Sequence, residues 1–333
     1  MTDTLQAIAL VAGASPDGAD GPSGPSLAAA LRAGGLLEAD LSTADLFTAL
    51  SGIGGASLSA GRIFEGHVNA IKLLDLYGER QGGLCGIWGA DGPDPVRVEG
   101  DRLKGQKLFA SGADVLDHVL ISARLDDALQ LLLIHTRKLN GRLFPDEWNV
   151  SGMKATASGR CDLTDFPLKD ATPVGGPGDY LKEPHFQGGV WRYGAVQYGA
   201  MRRLTAITAA QLRKRGHDNA PLQATRLRRM VTASEGARLW LWQAAEAVER
   251  PGAGPETAEA SILARLVTAE AAVEVLNLMD EALGAASFAA GHPVERIRRD
   301  LGFYIRQANP DGLALDCMSR ILGDPARHAR WIG

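Results

Sequence analysis

The spacing of apolar positions changes twice along the chain. LAAALRAGGLL at 27–37, then 44–50 and 60–77, repeat apolar residues at three and four, the spacing a helix gathers onto one face. These stretches predict a small helical lobe ending near Gly78. Between Gly83 and Pro173, short β-type runs such as VRVEG, KLFASG, HVLISAR and LQLLLIHT are punctuated by Gly, Asp and Asn, which predicts an all-β lobe. From Gly188 onward helical spacing returns. It predicts helices over 189–215, 220–249, 256–285 and 293–307 and a short one over 311–322, with PGAGPE at 251–256 as a break. The first 26 residues end in GASPDGADGPSGPS, whose glycines and prolines predict an irregular surface loop, with the folded part starting later. The domain reading is 1–78 for the loop and helical lobe, 79–180 for the β domain and 181–333 for the helical domain.

Composition sharpens this mainly by exclusion. In 333 residues, 45% hydrophobic content is ample for a buried core. A formal net charge of -4 and a pI near 6.0 give no basic field to favour nucleic acid or an anionic membrane, so neither is an expected partner. No apolar run approaches the roughly 18 residues of a membrane span, and the start MTDTLQAIALVAGAS lacks a basic flank, so a cytoplasmic location is expected. Cys85, Cys161 and Cys317 are widely spaced and read as free thiols. The histidines have no HxH or HExxH spacing, so no metal site is expected. GxSxG and phosphate-loop patterns are absent, and glycine-rich SGIGGAS (51–57) does not follow a strand as a dinucleotide fingerprint would.

Four segments carry a family likeness. LCGIWGADGPDPVRVEGDRLKGQKLFASGADVLDHVLISAR (84–124) and WNVSGMKATASGRCDLTDFPL (148–168) resemble the middle domain of the acyl-CoA dehydrogenase flavoproteins. RKRGHDNAPLQ (213–223) is similar to the family's basic turn with a downstream glutamine, and EALGAASFAAGHPVERIRRD (281–300) to its glycine-pair turn and the following helix. The resemblance implies an α+β multidomain fold: an N-terminal helical lobe, a central β-barrel-like lobe and a C-terminal four-helix bundle. It further implies FAD as cofactor. On the matching positions, the strand against the isoalloxazine would supply Phe109, Ala110 and Ser111, and Ile87 stands where a threonine hydroxyl usually meets the flavin. Arg213, Gln223, Gly284 and Ala285 would hold the dinucleotide across a subunit boundary, implying a homodimer or homotetramer.

The chain departs from the family where its chemistry sits. The glutamate that usually removes the α-proton of an acyl-CoA falls on Ala308, or on Gln307 or Asn309 if the register slips by one. On the first bundle helix, where some members place it, stand Trp191 and Arg192. Asp311 and Arg192 are the remaining catalytic candidates: a carboxylate could take the proton, and an arginine could bind a carboxylate or polarise a carbonyl. Three functions follow: an FAD-dependent oxidoreductase acting on an acyl thioester or a related substrate, a non-catalytic binding scaffold, or a flavin monooxygenase, which needs no α-proton base. Arg226, Arg228, Arg229 and Arg298 read as solvated helix faces, and Arg299 with Asp300 as a structural ion pair.

Overall fold

The computed structural model describes residues 2–16, 21–307 and 309–333. Its first element corrects the reading of the opening segment: α1 (Thr2–Gly13) is a helix, and Ala7 and Val11 on one side of it are buried. Part of the expected loop, residues 17–20, lies outside the described residues. Helices α2 (Gly24–Ala33), α3 (Thr43–Ala56) and α4 (Leu58–Leu76) each start at a serine, Ser23, Ser42 and Ser57, whose hydroxyl accepts a backbone N–H of the first turn.

All but the last residue of the glycine-rich SGIGGAS lies inside α3. Glycine lowers helix propensity, and its use here is close approach to the first bundle helix. A Cβ on Gly54 would sit 2.3 Å from the carbonyl oxygen of Val196, and one on Gly199 would sit 1.9 Å from that of Ser51. The two helices therefore touch backbone to backbone.

The β region holds β1 (Cys85–Trp88), β2 (Arg97–Glu99), β3 (Arg102–Lys104), β4 (Gln106–Lys107), β5 (His118–Leu125), β6 (Ala128–His135), β7 (Leu143–Phe144), β8 (Arg160–Asp162), β9 (Phe166–Pro167) and β10 (Thr172–Val174). The larger sheet runs β10-β6-β5-β2-β3-β9, with β1 parallel to β5, and the smaller runs β4-β8-β7. Strands β5 and β6 form a hairpin through Asp126 and Asp127. Asp126 takes φ +52, as a two-residue turn needs and as an aspartate tolerates. KLFASG, expected as one strand, keeps its ladder only through Lys107. At Phe109 the backbone turns to φ +53, so Phe109, Ala110 and Ser111 stand in a turn.

The bundle comprises α5 (Val190–Lys214), α6 (Pro221–Glu249), α7 (Ala258–Leu283) and α8 (Pro293–Tyr304), followed by α9 (Pro310–Gly323) and α10 (Pro325–Trp331). The last is an element the spacing did not reveal. One hydrophobic cluster joins Leu50 and Phe64 of the first lobe, Trp88 and Ile121 of the β region, and Trp191 and Tyr304 of the bundle. No helix among the described residues is long and apolar enough to cross a membrane.

Candidate active site

Where the three regions meet, a cavity of about 900 Å³ opens. That is near the upper end of the roughly 300–1,000 Å³ typical of small-molecule pockets. The β region contributes Ile87, Gly89, Phe109 and Ser111; α4 contributes Arg62 and α5 Tyr193; α8 and the turn after it contribute Arg298, Arg299, Phe303 and Arg306.

The β-side wall is anchored from behind. Lys107 is fully buried, and its ammonium donates to Asp91 Oδ1 (2.6 Å), Ser122 Oγ (2.9 Å) and, at 3.4 Å, to the carbonyl of Gly89 in the cavity wall. Burial lowers its pKa, and Asp91 opposes that fall. Phe109 is 51% exposed, unusual for so large an apolar ring. Its left-handed backbone costs a non-glycine residue about 1 kcal/mol or more. The turn is held by Ala110 N donating to Gly159 O (3.0 Å), Gly112 N to Thr156 O (2.7 Å) and Trp88 Nε1 to Ser111 O (3.1 Å). Trp148 meets Phe109 and Phe303 edge-on, with centroids 5.9 and 5.6 Å apart. Asn309 on the rim (φ +47) and Met153, which accepts the Trp148 indole N–H, share this backbone state. Strain of this kind collects where a surface is shaped for a ligand.

The cavity is rich in cations. Arg299 is occupied by Glu295 (2.6 and 3.0 Å) and the carbonyl of Ser151 (2.7 Å). Arg298 stacks on Phe288 (3.8 Å), and its buried Nε has no hydrogen-bond acceptor, Asp280 standing 3.7 Å away. Arg306 has no side-chain partner among the described residues. Arg62 donates to Glu65 (2.5 Å); burial disfavours its charge, but Glu65, with Tyr304 and Tyr193 behind it in weight, outweighs burial and raises its pKa. Among the described residues, no aspartate or glutamate lines the cavity. Glu65 stands behind Arg62 and accepts also from Asn69. Tyr193, 8% exposed, donates to the Tyr304 carbonyl, and burial raises its pKa.

The structure thus brings Ile87, Phe109 and Ser111 together on one wall, with Ala110 buried behind them. It leaves the two catalytic candidates outside. Arg192 faces a second cavity, its guanidinium engaged by Glu249 and Asn69. Asp311 is exposed on the first turn of α9, and Ala308 lies outside the described residues. Gln223 reaches the carbonyl of Ala282 (3.5 Å) beside the turn bearing Gly284 and Ala285, whereas Arg213 is exposed and stands 3.7 Å from Asp218.

Two arginine readings need correction. Arg298 lines the cavity and is not on a solvated face. Arg299 and Asp300 do not pair: Arg299 binds Glu295, and buried Asp300 accepts the Met153 N–H (2.6 Å). Sequence reasoning missed Arg62. Its signal was a charged i,i+3 pair, Arg62 and Glu65, set among Ile63, Phe64 and Gly66, where a solvated face would be polar.

Comparison with known proteins places this geometry. Residues 184–304 match the family model described as acyl-CoA dehydrogenase, C-terminal domain. No curated protein sequence matches the chain. Among solved structures, the dibenzothiophene monooxygenase TdsC from Paenibacillus sp. A11-2, in complex with FMN and indole, is 18% identical, with a TM-score of 0.75 over 96% of each chain. The 3-HSA hydroxylase from Rhodococcus sp. RHA1 is 17% identical, with a TM-score of 0.73 over 97% of this chain and 94% of that one. Glutaryl-coenzyme A dehydrogenase, in complex with glutaryl-CoA, is 18% identical with a TM-score of 0.72, over 86% of this chain and 82% of the other. Over nearly its whole length the chain has the acyl-CoA dehydrogenase-like fold of these structures, and its residues 184–304 match that family's C-terminal domain model.

Proposed function

We propose that the protein is a flavin-dependent oxidoreductase that oxygenates a small molecule, without a side-chain carboxylate to remove a C–H proton. The observation that carries this reading is the cavity's ionisable lining: four arginines and Tyr193, with no acid among the described residues. Such a lining cannot accept the α-proton of a thioester at neutral pH, but it can stabilise negative charge. The fold is shared by TdsC and the 3-HSA hydroxylase, which are named as a monooxygenase and a hydroxylase.

The residues present fit a flavin. Phe109 offers an exposed ring as a platform, with Ile87 beside it. The Ser111 hydroxyl accepts from Ser158 (2.9 Å), and its own O–H makes only a 3.5 Å contact to Phe109 O. Arg306, lacking a side-chain acceptor among the described residues, suits a phosphate, and Arg298, paired with Asp280, lines the same cavity. For the adenosine half of FAD, supplied across a subunit boundary, the candidates are Arg213, Gln223, Gly284 and Ala285. Gln223 has a buried Oε1 without a partner, and Gly284, at φ +67, has open space where a Cβ would stand. This makes a homodimer or homotetramer the functional unit. A bound flavin would supply two-electron redox chemistry and, once reduced, reaction with O₂. The chain's own part is to keep water off the ring with Phe109 and Phe303 and to orient the substrate with Arg62 and Tyr193.

The test is to titrate the purified protein with FAD and with FMN, then follow O₂ consumption with reduced flavin across candidate substrates. Failure to bind either flavin overturns the proposal and leaves the binding scaffold. Anaerobic bleaching of the flavin by an acyl-CoA, abolished by Asp311→Asn, would establish an acyl-CoA dehydrogenase instead.

A further inference from the structure

Arg62 differs from the other arginines of the cavity. It comes from α4 in the first lobe, and its side chain is 17% exposed, against 25% for Arg298 and for Arg299. Its Nη1 donates to Glu65 Oε2, while Glu65 Oε1 accepts from Asn69, whose Oδ1 accepts from Arg192 (2.7 Å). Arg192 is held in turn by Glu249. This buried chain fixes the plane of the Arg62 guanidinium.

Its other edge is free. Nε and Nη2 have no acceptor among the described residues, and Arg62 lines the cavity. Those two N–H groups form a fork whose spacing matches the two oxygens of a carboxylate or sulfonate. Beside the cavity's other arginines, three flat aromatic side chains, Tyr193, Phe303 and Phe109, line the same cavity.

We propose that the substrate is a small planar aromatic acid, its anionic group gripped by the Nε and Nη2 edge of Arg62 and its ring laid among these aromatic side chains. This rests on the reading of the cavity as the reaction site and adds a substrate class to it. Glu65 holds Arg62 in place without filling the fork, so the pair discriminates by charge and by geometry. A neutral isostere forfeits a charge-assisted bidentate contact, which lowers affinity about tenfold or more.

The experiment uses benzoate and its neutral isostere benzamide as probes, titrated calorimetrically into the full chain with and without added flavin, for the native protein, Arg62→Gln and Arg62→Lys. Native protein should bind benzoate at least about tenfold more tightly than benzamide. Arg62→Gln should abolish the preference, and Arg62→Lys should keep only part of it, because an ammonium lacks the fork. Flavin content should be the same in all three. Equal binding of the two probes, absence of benzoate binding at millimolar concentration, or a preference that survives Arg62→Gln overturns the proposal, and the first two need no variant. Loss of flavin from Arg62→Gln with benzoate binding intact would make Arg62 a cofactor contact and also overturn it. A benzoate preference set by Arg62 in a protein that takes up no flavin would uphold the anion site and sink the flavin reading alone.

Discussion

Glu249 offers a stability test whose size follows from the structure. On the last turn of α6, its Oε1 accepts from Arg192 Nε (2.9 Å) and Trp191 Nε1 (3.0 Å), and its Oε2 pairs with Lys72 (2.7 Å), while the side chain is only 7% exposed. Burial alone would raise its pKa; Arg192 and Lys72 outweigh burial and hold it at about 2, below the ordinary 4.5. At about 1.36 kcal/mol per pH unit, that drop is worth about 3 kcal/mol of folding stability. Because the folded value is depressed, the contribution is complete above about pH 4.5 and fades as pH falls toward 2. Glu249→Gln keeps the shape and removes the charge. At pH 7 it should cost about 3 kcal/mol, within the ~3–5 kcal/mol expected for breaking a buried pair. The gap between native and variant should hold from pH 7 to about 4.5 and narrow below it. Urea unfolding followed by tryptophan fluorescence at a series of pH values measures the gap. A loss under 1 kcal/mol at pH 7, or a gap that stays constant down to pH 3, would refute the assignment of this stability to the charge of Glu249.

Two glycines on bundle helices should respond oppositely to alanine. Gly199→Ala drives a methyl against the Ser51 carbonyl (1.9 Å) and should cost 3 kcal/mol or more, at or beyond the top of the usual overpacking range, whereas Gly236→Ala on α6, with nothing within 4 Å, should stabilise by roughly 0.5–1 kcal/mol; urea midpoints decide both. Phe109→Gly relieves the left-handed backbone, so its melting temperature should change little while flavin retention after dialysis falls; unchanged retention would remove Phe109 from the flavin wall. Burial pushes the thiols of Cys85 and Cys161 to about 12 and that of Cys317 to about 11, so none should react quickly with a disulfide reagent at pH 8 until the protein is unfolded, as a colorimetric thiol assay would record.

The helices were legible because their apolar period is strong: expected spans of 189–215, 220–249 and 256–285 became Val190–Lys214, Pro221–Glu249 and Ala258–Leu283. The start was misread because a loop-forming tail hid a short helix whose inward residues, Ala7 and Val11, are small or lone. The glycines at 51–57 were weighed only as a dinucleotide fingerprint and set aside, whereas they mark a close helix crossing, a role that exists only once a partner helix is in place. At the site, Phe109, Ile87 and Ser111 were found through a family pattern that specifies residue order, but the positive φ at Phe109 has no sequence signature. Arg298 and Arg62 were passed over because an arginine on a helix reads as solvated by default, and only neighbours distant in sequence remove it from water. Arg265 makes the same point. It sits mid-helix on α7, fully buried, donating to the carbonyls of Ile305 (3.0 Å) and Gln307 (2.9 Å), and nothing around it in sequence announces that it fixes the cavity's far rim.

The contact between α3 and α5 bears on how molecules come and go. Main chain rests on main chain where Gly54 and Gly199 cross, and Phe47 of α3 packs on Trp191 and Tyr198 of α5 beside that crossing, so a gape of the first lobe away from the bundle would have to part both contacts. Entry to the cavity is therefore to be sought away from that crossing, among lining residues such as Gly89 and Ala90 of the β region and Arg306 and Asn309 after α8. Any motion that admits a ligand is to be sought in those few residues.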